Sequence, residues 1–295
     1  MEIIVSNKVI ISNAPEDVKA RIKKYLTLEN PVYNVMLRNK KIRALYAVPK
    51  YFKYYKEDDF GLCCGRGVLH KILESFSIPM GCIKYDLCNS KLNNKYEAQP
   101  NLQLRDYQVG VAEKIISTGS CGIIKLSTGY GKTIIALRLI ELLQKKTLII
   151  VHRDSILKQF VNDAKEFYNY NLGIIQGNNW DIRDITIASI DTLNRRELRD
   201  IKEKFGMIII DEAHTFISKK RLETIQSFNP QYLYGMSGTP DRSDGQGKAI
   251  QFTFGKILID KQLPQKNPTV EIIRTDIPIM VQEYALMIEE QVNNR

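Results

Sequence analysis

Two short runs hold residue types that can do chemistry together. Ser127-Thr128-Gly129-Tyr130-Gly131-Lys132-Thr133 sets two glycines, a lysine and a hydroxyl in a row. Glycine lets the backbone wrap a phosphate with no Cβ in the way. A helix starting at Lys132 would aim its unpaired N–H groups and its dipole at the same anion. Lys132 would then reach the β- and γ-phosphates of ATP, and Thr133 would ligate Mg2+. Further on, Asp211-Glu212-Ala213-His214 follows the apolar run Met207-Ile208-Ile209-Ile210. Asp211 at the mouth of a buried strand would hold Mg2+ through water, because an unpaired carboxylate there is costly. Glu212 would polarise the attacking water. The loop departs from G-x-x-x-x-G-K-[ST], since Leu126 stands where the first glycine belongs. Loop and acids together are nonetheless the parts of a nucleotide hydrolase.

The surrounding pattern supplies elements to position them. From residue 102 onward, helices are expected over 105–117, 132–145 and 155–167. Strands are expected over 122–126, 147–151, 172–175, 185–189, 207–211 and 233–237. Strands that are apolar on both faces and separated by helices mean an α/β fold with a parallel sheet covered on both sides. Active residues then belong at the C-terminal strand ends, where both runs fall.

Residues 1–99 read as a separate small α+β domain. It has a helix over 16–28, a strand candidate over 42–48, a glycine-rich turn over 61–67 and a helix over 68–76. The polar stretch 91–100 reads as a linker. Aromatics alternate with lysines over 50–56, which puts Phe52 and Tyr54 in the core and the lysines outside. Lys50, Lys53 and Arg66 are the candidate phosphate contacts of this domain.

Composition sets the outer bounds. The 295 residues are 44% hydrophobic and 26% charged, which excludes wholesale disorder. The net charge of +10 is uneven: residues 1–100 carry 17 Lys and Arg against 10 Asp and Glu. Polyanion binding is therefore expected in the N-terminal third. No apolar run approaches a membrane span of about 20 residues, and Met1-Glu2-Ile3 does not open a signal peptide. The five cysteines are expected as reduced thiols of a cytoplasmic protein, in a bacterial or phage-infected cell. Cys64, His70, Cys82 and Cys88 lack the CxxC pairs of a structural zinc site.

At this point the chain resembles the first RecA-like domain of superfamily 2 helicases and translocases. In that family the loop is commonly x-x-T-G-x-G-K-T, which accommodates Leu126. Leu104-Arg105-Asp106-Tyr107-Gln108 is similar to the family's adenine-recognition motif, so the resemblance implies that Arg105 and Gln108 join Thr128, Gly129, Tyr130, Gly131, Lys132 and Thr133 around the nucleotide. Val151-His152-Arg153 through Gln159 resembles motif Ia, and Ser189-Ile190-Asp191-Thr192-Leu193 resembles motif Ib. His152, Arg153, Gln159, Asp191 and Thr192 are thereby implied as strand contacts. Ser237-Gly238-Thr239-Pro240 resembles motif III, which with His214 would couple hydrolysis to nucleic acid.

The loop and motif III are more similar to the branch-migration and repair group of UvsW-type, XPB-type and RecG-type enzymes than to DEAH-type RNA helicases. The resemblance implies three parts: a basic DNA-binding module over 1–99, a RecA-like domain over 100–263, and over 264–295 the connection to a truncated second RecA-like domain. It implies an ATP- and Mg2+-dependent motor on branched or forked DNA rather than RNA, completed by a second RecA-like domain in cis or in trans. A nucleotide-gated nucleic-acid binder without catalysis, a restriction-enzyme translocase module and an RNA helicase remain alternatives.

Overall fold

The computed structural model describes residues 1–40, 48–76, 78–216, 218–238 and 247–263. The strand expected over 42–48 lies almost wholly outside them, and the segment 264–295 lies wholly outside them. Residues 1–263 form one compact unit.

The N-terminal part is built on β1 (Glu2–Val5) and β2 (Lys8–Ser12), an antiparallel pair of alternating burial. Then come α1 (Glu16–Tyr25), β3 (Thr27–Glu29), α2 (Pro31–Arg38), β4 (Tyr51–Lys53), β5 (Tyr55–Asp58), β6 (Gly61–Gly65), α3 (Leu69–Ser75) and β7 (Ile83–Tyr85). Five strands form a sheet in the order β5-β6-β2-β1-β7, and β3 pairs with β4 beside it. Ile3, Val5, Val9, Ile11, Leu26 and Leu62 make its core. The expected glycine-rich turn over 61–67 is mostly strand. Gly65 and Gly67 are there because a Cβ at either would collide with backbone of the helix at 247–254.

The second part contains α4 (Val111–Thr118), β8 (Cys121–Leu126), α5 (Lys132–Leu143), β9 (Thr147–Val151), α6 (Asp154–Tyr168), β10 (Gly173–Gln176) and β11 (Asn179–Trp180). It continues with β12 (Ile185–Ser189), α7 (Ile190–Leu193), β13 (Met207–Ile210), α8 (Lys219–Ile225), β14 (Tyr232–Ser237), α9 (Gly247–Phe254) and β15 (Ile257–Lys261). The eight strands order as β11-β10-β12-β9-β13-β14-β8-β15, parallel except for the β10–β11 pair at one edge. The runs Leu148-Ile149-Ile150 and Ile208-Ile209-Ile210 are fully buried, because alternate residues feed apolar layers on opposite faces. This is the expected RecA-like architecture.

Three local departures have clear causes. The helix expected over 105–117 begins only at Val111, since Gly110 at φ +73° breaks a 3-10 turn from the helix proper. The segment 257–261, where no strand is expected, pairs with β8 as an edge strand. The stretch 91–100, expected as a linker, is laid against the C-terminal ends of α5 and α6. Leu92 N–H donates to the Gln144 carbonyl (3.0 Å), Gln99 N–H to that of Phe167 (2.7 Å), and buried Tyr96 stacks on Tyr168 at 4.6 Å. A second fastening is Phe252 of α9. It is 2% exposed, sits in the core of the N-terminal sheet and meets Tyr25 and Tyr54 at 5.4 and 5.2 Å.

Candidate nucleotide site and nucleic-acid contacts

Strand β8 ends at Leu126 and the chain turns through 127–131 into α5. Gly129 and Gly131 have φ of +82° and +91°, a region that residues with a Cβ enter only at a cost. Gly131 has a second reason: the Gln108 amide lies where its Cβ would be. The N–H groups of the first turn of α5 have no intrahelical acceptor and face the loop. Beside it opens a cleft of about 560 Å3, lined among others by Thr128, Lys132, Thr133, Asp211 and Glu212.

The acids arrive from β13. Glu212 takes the left-handed conformation (φ 51°, ψ 52°) directly after the strand, at a strain cost of roughly 1–2 kcal/mol. Its Oε1 accepts from Lys132 Nζ at 2.6 Å, and its Oε2 lies 3.2 Å from His214 Nδ1. The same ring nitrogen is 2.9 Å from Ser237 Oγ at the end of β14. Lys132, Glu212, His214 and Ser237 thus form one contiguous polar chain across three strand ends. Gly238 follows closely, with room for a Cβ only 3.6 Å from Lys132 Nζ.

Asp211 is 5% exposed, and burial, reinforced by the Glu212 charge, pushes its carboxyl up to about 6. A buried carboxylate raised this way gains from a cation. Thr133, also buried, presents a hydroxyl to the same cleft. These hard oxygen donors suit Mg2+, which keeps several waters and takes its other ligands from phosphate. Loop, helix terminus and oxygens together fit a magnesium nucleotide.

Several expected contacts fall elsewhere. Tyr130 does not present its side chain to the cleft. It is buried, packs edge-on against Tyr107 at 4.9 Å and donates its hydroxyl to the Tyr107 carbonyl. Gln108 is 5% exposed and holds the loop from behind, accepting from Arg105 N–H at 3.0 Å and donating to the Tyr130 carbonyl at 2.8 Å. One further donor and one acceptor position remain on such an amide, and Gln108 and Arg105 both line the cleft. Gln159, expected on nucleic acid, also lines the nucleotide cleft, because α6 turns that face inward. The cleft walls include Ile156 and Phe167, apolar residues of α6 that no motif marks.

Of the other nucleic-acid candidates, Arg153 and Asp191 are exposed. The β9–β12 register sets Val151 opposite Ser189, which brings the residues following each strand side by side. His152 is half-buried, and burial, with Arg153 second, holds its imidazole below the usual range. Thr192 is buried and its hydroxyl accepts from Gly177 N–H at 2.9 Å, an internal role. Arg66 is a clear correction. It is 5% exposed and its guanidinium donates to the carbonyls of Pro230 and Gln231, so it joins the two parts and cannot reach a phosphate. Lys50 and Lys53 are exposed as expected. Thr239 lies outside the described residues.

The chain has recognisable relatives among known proteins. Residues 101–242 match the family model of the type III restriction enzyme res subunit. The DNA 3'-5' translocase XPB2 of Sulfurisphaera tokodaii is 29% identical over 164 residues, covering 56% of this chain and 37% of that protein. The chain is thus similar to helicases of superfamily 2. The 161L protein of Invertebrate iridescent virus 6, which bears a helicase name, is 30% identical over 210 residues, 66% of this chain and 48% of its own length. The chain spans between about a third and a half of these curated relatives. The crystal structure of the UvsW helicase from Bacteriophage T4 shares the fold, with TM-score 0.60 and 17% identity over 89% of this chain and 100% of that one.

Proposed function

We propose that this chain binds and hydrolyses ATP with Mg2+ as the first RecA-like domain of a motor acting on branched or forked DNA. A second RecA-like domain, in cis or in trans, would complete the motor. One observation supports the reading most: the 2.6 Å Lys132–Glu212 pair continues through His214 to Ser237, beside the cleft holding Thr133 and Asp211. Bound nucleotide would supply the phosphoanhydride, whose charge a Mg2+ ion would neutralise. Lys132 moves its ammonium from Glu212 to the phosphate oxygens. Glu212, freed of its partner, accepts a proton from the attacking water. Thr133 and Asp211 would hold the metal. His214 links the Glu212 carboxylate to Ser237, so a shift of motif III is felt at the proton acceptor.

The DNA preference is supported by the basic N-terminal module and by the likeness of the motifs to the branch-migration group. A steady-state ATPase assay with forked DNA, duplex DNA and RNA of matched length tests it. The expected result is stimulation that is greatest with forked DNA. Equal or greater stimulation by RNA would refute the DNA assignment, and ATP affinity unchanged by Lys132→Ala would refute the nucleotide site.

A further inference from the structure

A groove larger than the nucleotide cleft, about 820 Å3, runs between the N-terminal module and the RecA-like domain. One wall carries Lys8 of β2 together with Phe52, Lys53, Tyr55 and Lys56 of β4 and β5. The other carries Thr215 and one face of α8, where Glu223 supplies an acid. Lys8, Lys53 and Lys56 have no ion-pair partner among the described carboxylates, whereas Lys19 and Lys23 of the same module pair with Glu57 at 3.6 and 2.5 Å. The module thus neutralises the lysines of one face and leaves those of the groove uncompensated.

The groove also leads to the sheet end. Thr215 donates to the Glu212 carbonyl through both its N–H (2.8 Å) and its hydroxyl (3.0 Å). Arg221 of α8 donates to the Thr215 carbonyl at 2.8 Å and lies 3.5 Å from Asp191. Charges without partners, half-buried rings and hydroxyls or amides opposite suit a chain of phosphates bearing accessible flat bases. A duplex hides its base faces in its own stack. Unpaired bases stack on aromatic side chains whatever their sequence.

We infer that this groove holds a short unpaired stretch of nucleic acid, with its phosphates on Lys8, Lys53 and Lys56 and its bases against Phe52 and Tyr55. The inference rests on the nucleic-acid motor reading above. Fluorescence anisotropy of a short labelled oligothymidylate on the full chain, across a salt series, tests it. Lys8→Ala/Lys53→Ala/Lys56→Ala together should weaken binding at least tenfold. The slope of log K against log salt should fall by about 2, since each phosphate left without its lysine takes away about 0.7. On the wild-type chain, an iodouridine-bearing oligonucleotide should photocross-link within residues 51–56, a readout independent of whether the variant folds. Cross-links confined to other segments, or an unchanged affinity and slope in the folded triple variant, would overturn the groove assignment while leaving the motor reading intact. Wild-type protein that binds Mg-ATP but no oligonucleotide would overturn both. Polyglutamate displacing the oligonucleotide as well as unlabelled oligothymidylate does would mark a site for an acidic protein, against the inference.

Discussion

Lys132 and Glu212 neutralise each other in the nucleotide cleft, and their pairing sets the consequences of changing either. Lys132→Ala removes the cation aimed at the phosphates and also leaves Glu212 without its 2.6 Å partner. Calorimetry should show ATP affinity reduced at least tenfold. Glu212→Gln keeps the shape and a hydrogen-bonding oxygen but is a far poorer proton acceptor. It should bind Mg-ATP nearly as wild type and lose hydrolysis by about 10²–10⁴; undiminished turnover would remove Glu212 from the proton-accepting role. Asp211 adds a pH dependence. Its carboxyl is raised to about 6 by burial and by Glu212, so the folded state favours the protonated form. That contribution to stability is complete below the ordinary carboxylate range and is lost as pH rises through about 6. Metal needs the ionised form, so Mg-ATP affinity should rise over the same window. Melting and calorimetry between pH 5 and pH 7 should show the two opposite trends, and Asp211→Asn should abolish both.

At the scale of elements, the N-terminal module is fastened by packing that composition could not announce. Arg66 reads as a phosphate contact in the sequence because an arginine between glycines suggests an exposed basic turn. The glycines are there because backbone of α9 lies against them, and the guanidinium is consumed by two carbonyls. Arg66→Met should therefore destabilise the protein by roughly 3 kcal/mol, mostly from carbonyls left unsatisfied, and leave nucleic-acid affinity of the folded fraction unchanged. Thermal melting and anisotropy on the same sample separate these effects. The RecA-like strands were legible because burial on both faces demands unbroken apolar runs such as Leu148-Ile149-Ile150. The P-loop and the paired acids were legible because their chemistry restricts residue type. Strand β15 and the strap that the stretch 91–100 forms were not, since each is short, half-polar and fixed by a distant partner. Tyr130 and Gln159 show a related limit: a motif fixes the position of a backbone, while packing decides which way the side chain turns.

At the scale of the whole molecule, the strap and Phe252 decide how the module can be tested. Removing residues 1–99 would strip Tyr96 from its stack on Tyr168 and uncover Phe252, so weaker DNA binding after deletion would report damage to the fold as readily as the loss of a binding surface. Charge substitutions that leave those fastenings intact avoid the ambiguity. Catalysis raises a second question of scale. Among the described residues Arg105 is the only arginine lining the nucleotide cleft, and its guanidinium donates to the Tyr107 hydroxyl at 2.6 Å. It lies in the segment that resembles the adenine-recognition motif, so among the described residues no arginine is set for the charge that develops on a transferring phosphoryl group. In related phosphoryl transfer such an arginine is worth about 10³–10⁵ in rate. The 295-residue chain should accordingly bind ATP well, hydrolyse it slowly and fail to unwind forked DNA. A second RecA-like domain, supplied on the same polypeptide or as a separate chain, should raise kcat by orders of magnitude and shift the ATP affinity much less. Its arginine replaced by alanine should return the rate to that of the chain alone. Robust unwinding by the 295-residue chain as a monomer, with no such domain added, would overturn the two-domain requirement.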